Sequence, residues 1–164
     1  MEVGLARSGA EPAVSLGDLI EVRHRRPMKF KALGATGIVV PAIGQGTMGI
    51  GGRFERDVSS DAECIRLLRL GVDLGLTLID TAEVYGEGHA EELAGVALRG
   101  LRDRVVVATK FSPEHSTYEG VIRAAEGSLR RLQTDYIDLY QAHWPNPRVP
   151  IEDTMRAMEK LVDD

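Results

Sequence analysis

The chain has 164 residues, of which 43% are hydrophobic and 27% are charged, close to the averages of a soluble globular protein. A net charge of −5 argues against a general nucleic-acid surface, and the sequence has no run of about 18 apolar residues that could cross a membrane. The single cysteine, Cys64, cannot form an internal disulfide, and no zinc-ligand spacing occurs, so we expect a cytoplasmic protein.

The first 27 residues differ from the rest in having little hydrophobic periodicity. They end in the basic cluster 23–26 and Pro27, and no apolar stretch follows a charged start, which argues against a secretory signal. We predict a disordered extension over residues 1–27, or a start codon upstream of a true start at Met28. Residues 28–164 are then the folded unit.

The pattern after Met28 begins with extended structure. Residues 30–41 predict a β-hairpin around a glycine-containing turn, and a third apolar run follows over residues 43–48. After a glycine-rich loop, Ser60 and Glu63 have the spacing of a capping box at the start of an amphipathic helix that ends near Gly75.

The rest of the chain alternates strands with helices. Strands are predicted over residues 77–82, 104–110 and 135–143, and helices begin near residues 89, 117 and 151. A second capping box, Ser116 with Glu119, is predicted to start the third helix. A hairpin followed by four βα units predicts an α/β protein with a parallel sheet, a pattern that open doubly wound sheets and closed barrels share.

Polar residues follow the predicted strands where each strand ends. Because ligands bind at the carboxyl ends of parallel strands, we expect Asp80, Lys110 and His143, with Tyr85 in the loop after Asp80, to meet at one edge. Each residue alone has an ordinary structural explanation, such as a turn-forming Asp or a Lys reaching solvent. Four arginines are predicted to be solvated at helix ends: Arg102, Arg104, Arg130 and Arg131.

These four residues together suit carbonyl reduction. A tyrosine hydroxyl is a weak acid near neutral pH, but a lysine ammonium beside it favours the phenolate, and Asp80 would orient that ammonium. His143 could donate a hydrogen bond to a substrate carbonyl, and the hydride must come from a nicotinamide cofactor. A metal-dependent hydrolase built on His143, Asp80 and Glu83 is the disfavoured alternative, because Lys110 would repel a cation.

Four sequence stretches carry a resemblance to a known family. They are LGATGIVVPAIGQGTM, GVDLGLTLIDTAEVYGEG, VVVATK and LRRLQTDYIDLYQAHWP, and through them residues 28–164 resemble the aldo-keto reductase family. The resemblance implies a (β/α)₈ barrel that uses NADPH, less often NADH, to reduce aldehydes and ketones. By resemblance Tyr85 is the proton donor, Lys110 and Asp80 tune it, and His143 orients the substrate.

The resemblance also implies binding residues. Gly46, Thr47 and Met48, together with Asp80, resemble residues that contact the nicotinamide–ribose end of the cofactor, and Trp144 resembles a wall of the substrate pocket beside Tyr85 and His143. A small carbonyl compound is the expected substrate, and no metal is expected. The GxG at Gly44 is not a Rossmann fingerprint, because it lacks the third glycine and the following helix.

Length is at odds with a complete barrel. A (β/α)₈ barrel takes ~250 residues, and residues 28–164 are about half of that. We therefore expect the hairpin and about four βα units of an incomplete half-barrel. Two functions remain: an NADPH-dependent reductase, or a truncated, non-catalytic fragment or half-barrel that needs a partner chain. Self-association through open barrel edges is part of the second hypothesis.

Overall fold

An antiparallel hairpin begins the part of the chain that the computed structural model describes, residues 28–164. Strand β1 (Phe30–Ala32) pairs with β2 (Val39–Pro41), and the amide of Leu33 donates to the Ile38 carbonyl at 2.8 Å. The predicted hairpin is confirmed. The predicted extension over residues 1–27 lies outside the described residues.

Four parallel strands form the sheet in the order in which they occur along the chain. They are β3 (Gln45–Gly46), β4 (Leu78–Asp80), β5 (Val106–Phe111) and β6 (Leu139–Ala142). This confirms the predicted α/β class. Within residues 28–164 the sheet is open, because β3 and β6 each pair with one strand only.

A helix follows each strand of the sheet. The helices are α1 (Asp61–Asp73), α2 (His89–Ala97), α3 (Tyr118–Leu132) and α4 (Ile151–Asp163), and short 3₁₀ turns occur at Tyr85–Gly88, Arg102–Arg104 and Pro113–His115. Consecutive helices pack side by side, α1 on α2, α2 on α3 and α3 on α4. Across residues 28–164, none of the helices is both long and apolar enough to span a membrane.

The predicted capping box at α1 is wrong. Ser60 is the N-cap residue, but its side chain makes no capping hydrogen bond, and Glu63 instead accepts two hydrogen bonds from Arg66. Ser60 has φ −127° and ψ 16°, outside the extended region that directs an N-cap hydroxyl toward the first free amides. The helix ends as predicted before Gly75, whose φ of +91° suits glycine.

The second capping prediction misplaces the cap by one residue. Helix α3 begins after Thr117, whose Oγ1 accepts a hydrogen bond from the Gly120 amide at 3.2 Å. Ser116 is instead buried, and its carbonyl accepts a hydrogen bond from the Thr154 hydroxyl on α4 at 2.7 Å. Thr117 is extended, with φ −67° and ψ 158°, whereas Ser116 ends the preceding 3₁₀ turn with φ −71° and ψ −9°, so the Thr117 hydroxyl is the one directed toward the first free amides of α3.

The apolar core lies between the sheet and the helices. One cluster joins the early strands to α1, α2 and the end of α3, and consists of Val72, Ile79, Ala94, Leu98, Val105, Val107 and Leu132. A second cluster joins the end of β5 to α3 and α4 through Phe111, Val121, Ala124 and Ala157. The two clusters hold the carboxyl ends of β4 and β5 in fixed positions.

Removing one methylene group from this core should measurably lower the free energy of unfolding. Ile79 is fully buried next to Asp80, so Ile79→Val is expected to lower the free energy of unfolding by about 0.5–1.5 kcal/mol. The matched control is Ile43→Val, because Ile43 is exposed. Urea denaturation of both variants checks this, and equal midpoints for the two would contradict the core assignment.

Candidate active site

The strand ends meet along one edge of the sheet, as the sequence predicts. The amide of Thr47, just after β3, donates to the Asp80 carbonyl at 2.9 Å, and the amide of His143, just after β6, donates to the Phe111 carbonyl at 3.0 Å. Lys110 lies between them near the end of β5. Backbone hydrogen bonds therefore extend past the strands and set the spacing of the polar side chains.

Lys110 and Asp80 form an ion pair between neighbouring strands. The Lys110 ammonium lies 2.8 Å from Asp80 Oδ1 and donates to the Thr81 carbonyl at 2.7 Å. The lysine side chain is 12% exposed and the aspartate side chain 43%. A nearly buried ammonium is costly unless it is paired, so these two acceptors offset that cost and fix its position.

Tyr85 lies over the lysine. The Lys110 ammonium is 5.4 Å from the centre of the Tyr85 ring. Tyr85 begins a 3₁₀ turn in which Gly86 has φ +55°, and a Cβ on Gly86 would lie 2.2 Å from the carbonyl oxygen of Gly51. Only glycine fits at that position, so the backbone directly after Tyr85 passes close to the loop that contains Gly51.

His143 and Trp144 complete the edge. The His143 ring packs edge-on against Tyr85 at 5.6 Å between centres and stacks on Trp144 at 3.8 Å. Its Nδ1 is buried and has no hydrogen-bond partner among the described residues. Burial and the Lys110 ammonium lower the pKa of His143 below its usual range, against smaller opposing effects of Asp80 and Glu83. The imidazole is therefore favoured in its neutral form.

This lowered pKa predicts a pH dependence of stability. The unfolded chain protonates His143 below about pH 6.5, while the folded chain resists protonation, so the free energy of unfolding should fall as the pH drops below that value. Urea midpoints at pH 7.5 and 5.5 measure the effect. In His143→Gln the difference between the two midpoints should be smaller, and an unchanged difference would contradict the assignment.

The residues proposed to contact a cofactor lie beside Asp80. Thr47 is fully buried, while Gly46 and Met48 on either side of it are exposed. The hydroxyls of Thr47 and Thr81 are buried without a partner among the described residues. Unpartnered hydroxyls next to a half-exposed carboxylate fit a ligand rich in hydroxyl and amide groups, so the residues present suit the nicotinamide–ribose end of a dinucleotide.

Sequence reasoning missed a buried polar network under the site. Glu91 on α2 is fully buried, accepts a hydrogen bond from the Thr109 hydroxyl at 2.5 Å, and pairs with Arg131 at 2.6 Å. Glu83 is nearly buried and accepts hydrogen bonds from the Ser112 amide and from His115. The available signal was Glu91 itself, a charged residue among the small apolar residues of α2.

Two of the four arginines predicted to be solvated are largely buried in ion pairs, so that prediction is wrong for Arg102 and Arg131. Arg102 binds Asp138 at 2.7 Å and the Tyr136 carbonyl at 2.9 Å. Arg131 pairs with the buried Glu91. Both partners lie more than 30 residues away in sequence, and a helix-end charge pattern carries no information about them.

The geometry gives the metal-hydrolase alternative no support. The Asp80 carboxylate binds Lys110, and Glu83 turns toward Ser112 and His115. Between residues 28 and 164, no group of three or more His, Cys, Asp or Glu side chains is placed to hold a metal ion.

A family model and two known proteins match most of this chain. The model of the aldo/keto reductase family matches residues 42–164. The chain is 42% identical over 146 residues to aldo-keto reductase YhdN of Bacillus subtilis, covering 83% of this chain and 44% of that protein. It is 46% identical over 125 residues to methylglyoxal reductase YeaE of Escherichia coli, covering 76% and 42% respectively.

A solved structure has the same fold over the shared part. The aldo-keto reductase from Klebsiella pneumoniae in complex with NADPH is 49% identical, with a TM-score of 0.72 over 77% of this chain and 43% of that one. The chain thus spans somewhat less than half the length of the curated relatives it matches.

Proposed function

Since the chain belongs to the aldo/keto reductase family, we propose that its site serves the NADPH-dependent reduction of aldehydes or ketones to alcohols. The observation that carries this proposal is the Lys110–Asp80 ion pair directly beside Tyr85 and His143. An ammonium held next to a phenol and a neutral imidazole suits proton transfer to a carbonyl oxygen.

Tyr85 is the proton donor in this proposal. Its hydroxyl gives a proton to the carbonyl oxygen, and the Lys110 ammonium stabilises the phenolate that remains, because opposite charges attract strongly in a partly buried site. Asp80 keeps the ammonium charged and oriented.

His143 and Trp144 orient the substrate. The neutral imidazole donates a hydrogen bond to the carbonyl oxygen from one ring nitrogen, next to the Tyr85 hydroxyl. Trp144 stacks on the other side of the imidazole and is half exposed, so it forms an apolar wall for a small carbonyl compound.

The cofactor would lie along the end of β3. Gly46, Thr47, Met48 and Asp80 would hold its nicotinamide–ribose end, and bound NADPH supplies the hydride that the carbonyl carbon needs. NADPH is preferred over NADH in this proposal because the Klebsiella pneumoniae relative is in complex with NADPH.

A direct assay tests the proposal. The purified chain is mixed with NADPH and methylglyoxal or a simple aromatic aldehyde, and the loss of absorbance at 340 nm is followed with and without the carbonyl compound. Oxidation of NADPH that requires the carbonyl compound, and whose rate saturates as the concentration of either NADPH or the carbonyl compound is raised, supports the proposal. Binding of NADPH without turnover of any carbonyl compound, or no binding at all, would contradict it for this chain.

The edge strands favour a second candidate, a half-barrel that works only with a partner chain. Within residues 28–164, β3 and β6 each leave one side unpaired, and unpaired edges favour association. Light scattering over a range of chain concentrations tests this candidate. Activity that rises in step with a larger assembly supports it, and full activity in the monomer excludes it.

A further inference from the structure

We propose that Glu83 is a positioning residue that holds Tyr85 in place against Lys110, an inference that rests on the function proposed above. Glu83 lies two residues before Tyr85, in the segment that leaves the sheet after β4. This segment contains left-handed backbone at Gly86 and Glu87, so regular secondary structure alone does not set its path. Contacts to the neighbouring strand must do so.

The Glu83 contacts reach Lys110 itself and the residues that follow it. The Glu83 amide donates to the Lys110 carbonyl at 3.1 Å. The Glu83 carboxylate accepts a hydrogen bond from the Ser112 amide at 2.5 Å and lies 2.7 Å from Nδ1 of His115. One residue thus joins the chain that carries Tyr85 to the strand end that carries Lys110, through main chain and side chain together.

A second buried carboxylate, that of Glu91, anchors the start of α2, the helix that follows the segment containing Tyr85. Glu91 binds the Thr109 hydroxyl, one residue before Lys110, while Glu83 binds the Ser112 amide, two residues after it. Arg131 lies between the carboxylates, 2.6 Å from Glu91 and 4.0 Å from Glu83. The segment with Tyr85 is therefore fixed to β5 and the residue after it on either side of Lys110.

The burial of Glu83 makes these contacts necessary for its charged carboxylate. Its side chain is 8% exposed, and a carboxylate at that depth is costly unless donors surround it. Here the donors are a backbone amide and a histidine, with the Arg131 guanidinium nearby. Proton transfer depends on geometry at the scale of 1 Å, so a freed segment would move Tyr85 out of reach of the carbonyl oxygen.

Substitutions of Glu83 test the positioning of Tyr85 better than substitutions of Glu91 would. Glu91 is fully buried within α2, and its substitution would threaten the packing of that helix. Glu83 lies at the edge of the sheet, so its variants can change the Tyr85 segment and leave the core in place. Glu87 is the matched control, because it is an exposed carboxylate in the same segment.

The experiment compares Glu83→Ala, Glu83→Asp and Glu87→Ala in the whole chain. The first readout needs no cofactor: NMR cross-peaks between the Tyr85 and His143 rings, and the chemical shift of the Ser112 amide. The second readout is the split between kcat and the KM for NADPH. Tyr85→Phe identifies the Tyr85 signals.

We expect Glu83→Ala to weaken the ring cross-peaks, shift the Ser112 amide upfield, and lower kcat about 10- to 100-fold with the KM for NADPH nearly unchanged. Glu83→Asp, whose carboxylate reaches one methylene less far, should lower kcat several-fold, and this variant decides if Glu83→Ala does not fold. Glu87→Ala should match the parent chain in both readouts.

Intact cross-peaks in a folded Glu83→Ala chain, or an unchanged kcat in Glu83→Asp, would overturn the positioning role. Loss of thermal stability with unchanged cross-peaks would show that Glu83 only supports the fold. If the parent chain reduces no carbonyl compound, the proposed function fails, and the cross-peaks still decide whether Glu83 positions Tyr85.

Discussion

Tyr85→Phe is expected to lower the rate of carbonyl reduction by about 10²–10⁴-fold, the range that a positioned proton donor contributes. The change removes only the hydroxyl, so the ring keeps its edge-on packing against His143 and its place over Lys110. The affinity for NADPH should therefore stay close to that of the parent chain. Steady-state kinetics and NADPH titration by fluorescence measure both quantities.

The control for Tyr85→Phe is Tyr136→Phe, because Tyr136 is an exposed tyrosine that stacks on Arg102 away from the site. This control should keep the parent kcat. A Tyr85→Phe chain with ordinary kcat would remove Tyr85 from the mechanism, and equal losses in the two variants would point to a general effect on the fold.

Lys110→Met is also expected to lower the rate of carbonyl reduction by about 10²–10⁴-fold. Methionine keeps an unbranched apolar stem in the nearly buried position but brings no charge, so nothing stabilises the phenolate of Tyr85. The Asp80 carboxylate loses its partner, but it is 43% exposed and water can solvate it. The fold should therefore survive while the rate falls.

Lys31→Met is the matched control, because Lys31 is exposed on the hairpin strand β1. It loses the same charge outside the candidate site, in the separate two-stranded sheet, and should keep its rate. Asp80→Asn separates charge from geometry, since the amide oxygen can still accept from the Lys110 ammonium. A Lys110→Met chain that reduces carbonyl compounds at the parent rate would contradict the role proposed for the ion pair.

Hydrophobic periodicity accounts for most of what could be predicted of the fold. Each apolar strand and amphipathic helix after Thr77 shows its own hydrophobic period, so the parallel class could be predicted from the sequence. The hairpin could be predicted separately, from the two short apolar runs around a glycine-containing turn over residues 30–41. The helix starts were less predictable. Ser116 and Thr117 are adjacent hydroxyl residues, and the 3₁₀ turn before α3 decides between them, because it leaves Ser116 helical and Thr117 extended.

Part of the candidate site could likewise be predicted from the sequence, and part could not. Asp80, Lys110 and His143 each lie at or just after the end of a strand, and parallel strands bring their carboxyl ends to one edge, so their proximity could be predicted from the sequence. The sequence did not indicate the neutral state favoured for His143, because that depends on the depth of the ring and its distance from Lys110.

The sequence by itself therefore determined the order of strands and helices, and the position of Asp80, Lys110 and His143 at strand ends, because both follow from local hydrophobic patterns. Only the tertiary structure decided what holds that edge in place. Glu83 binds Ser112 across 29 positions, and Glu91 binds Arg131 across 40. A local pattern does not contain such partners, since a buried carboxylate becomes stable only when folding brings distant donors around it.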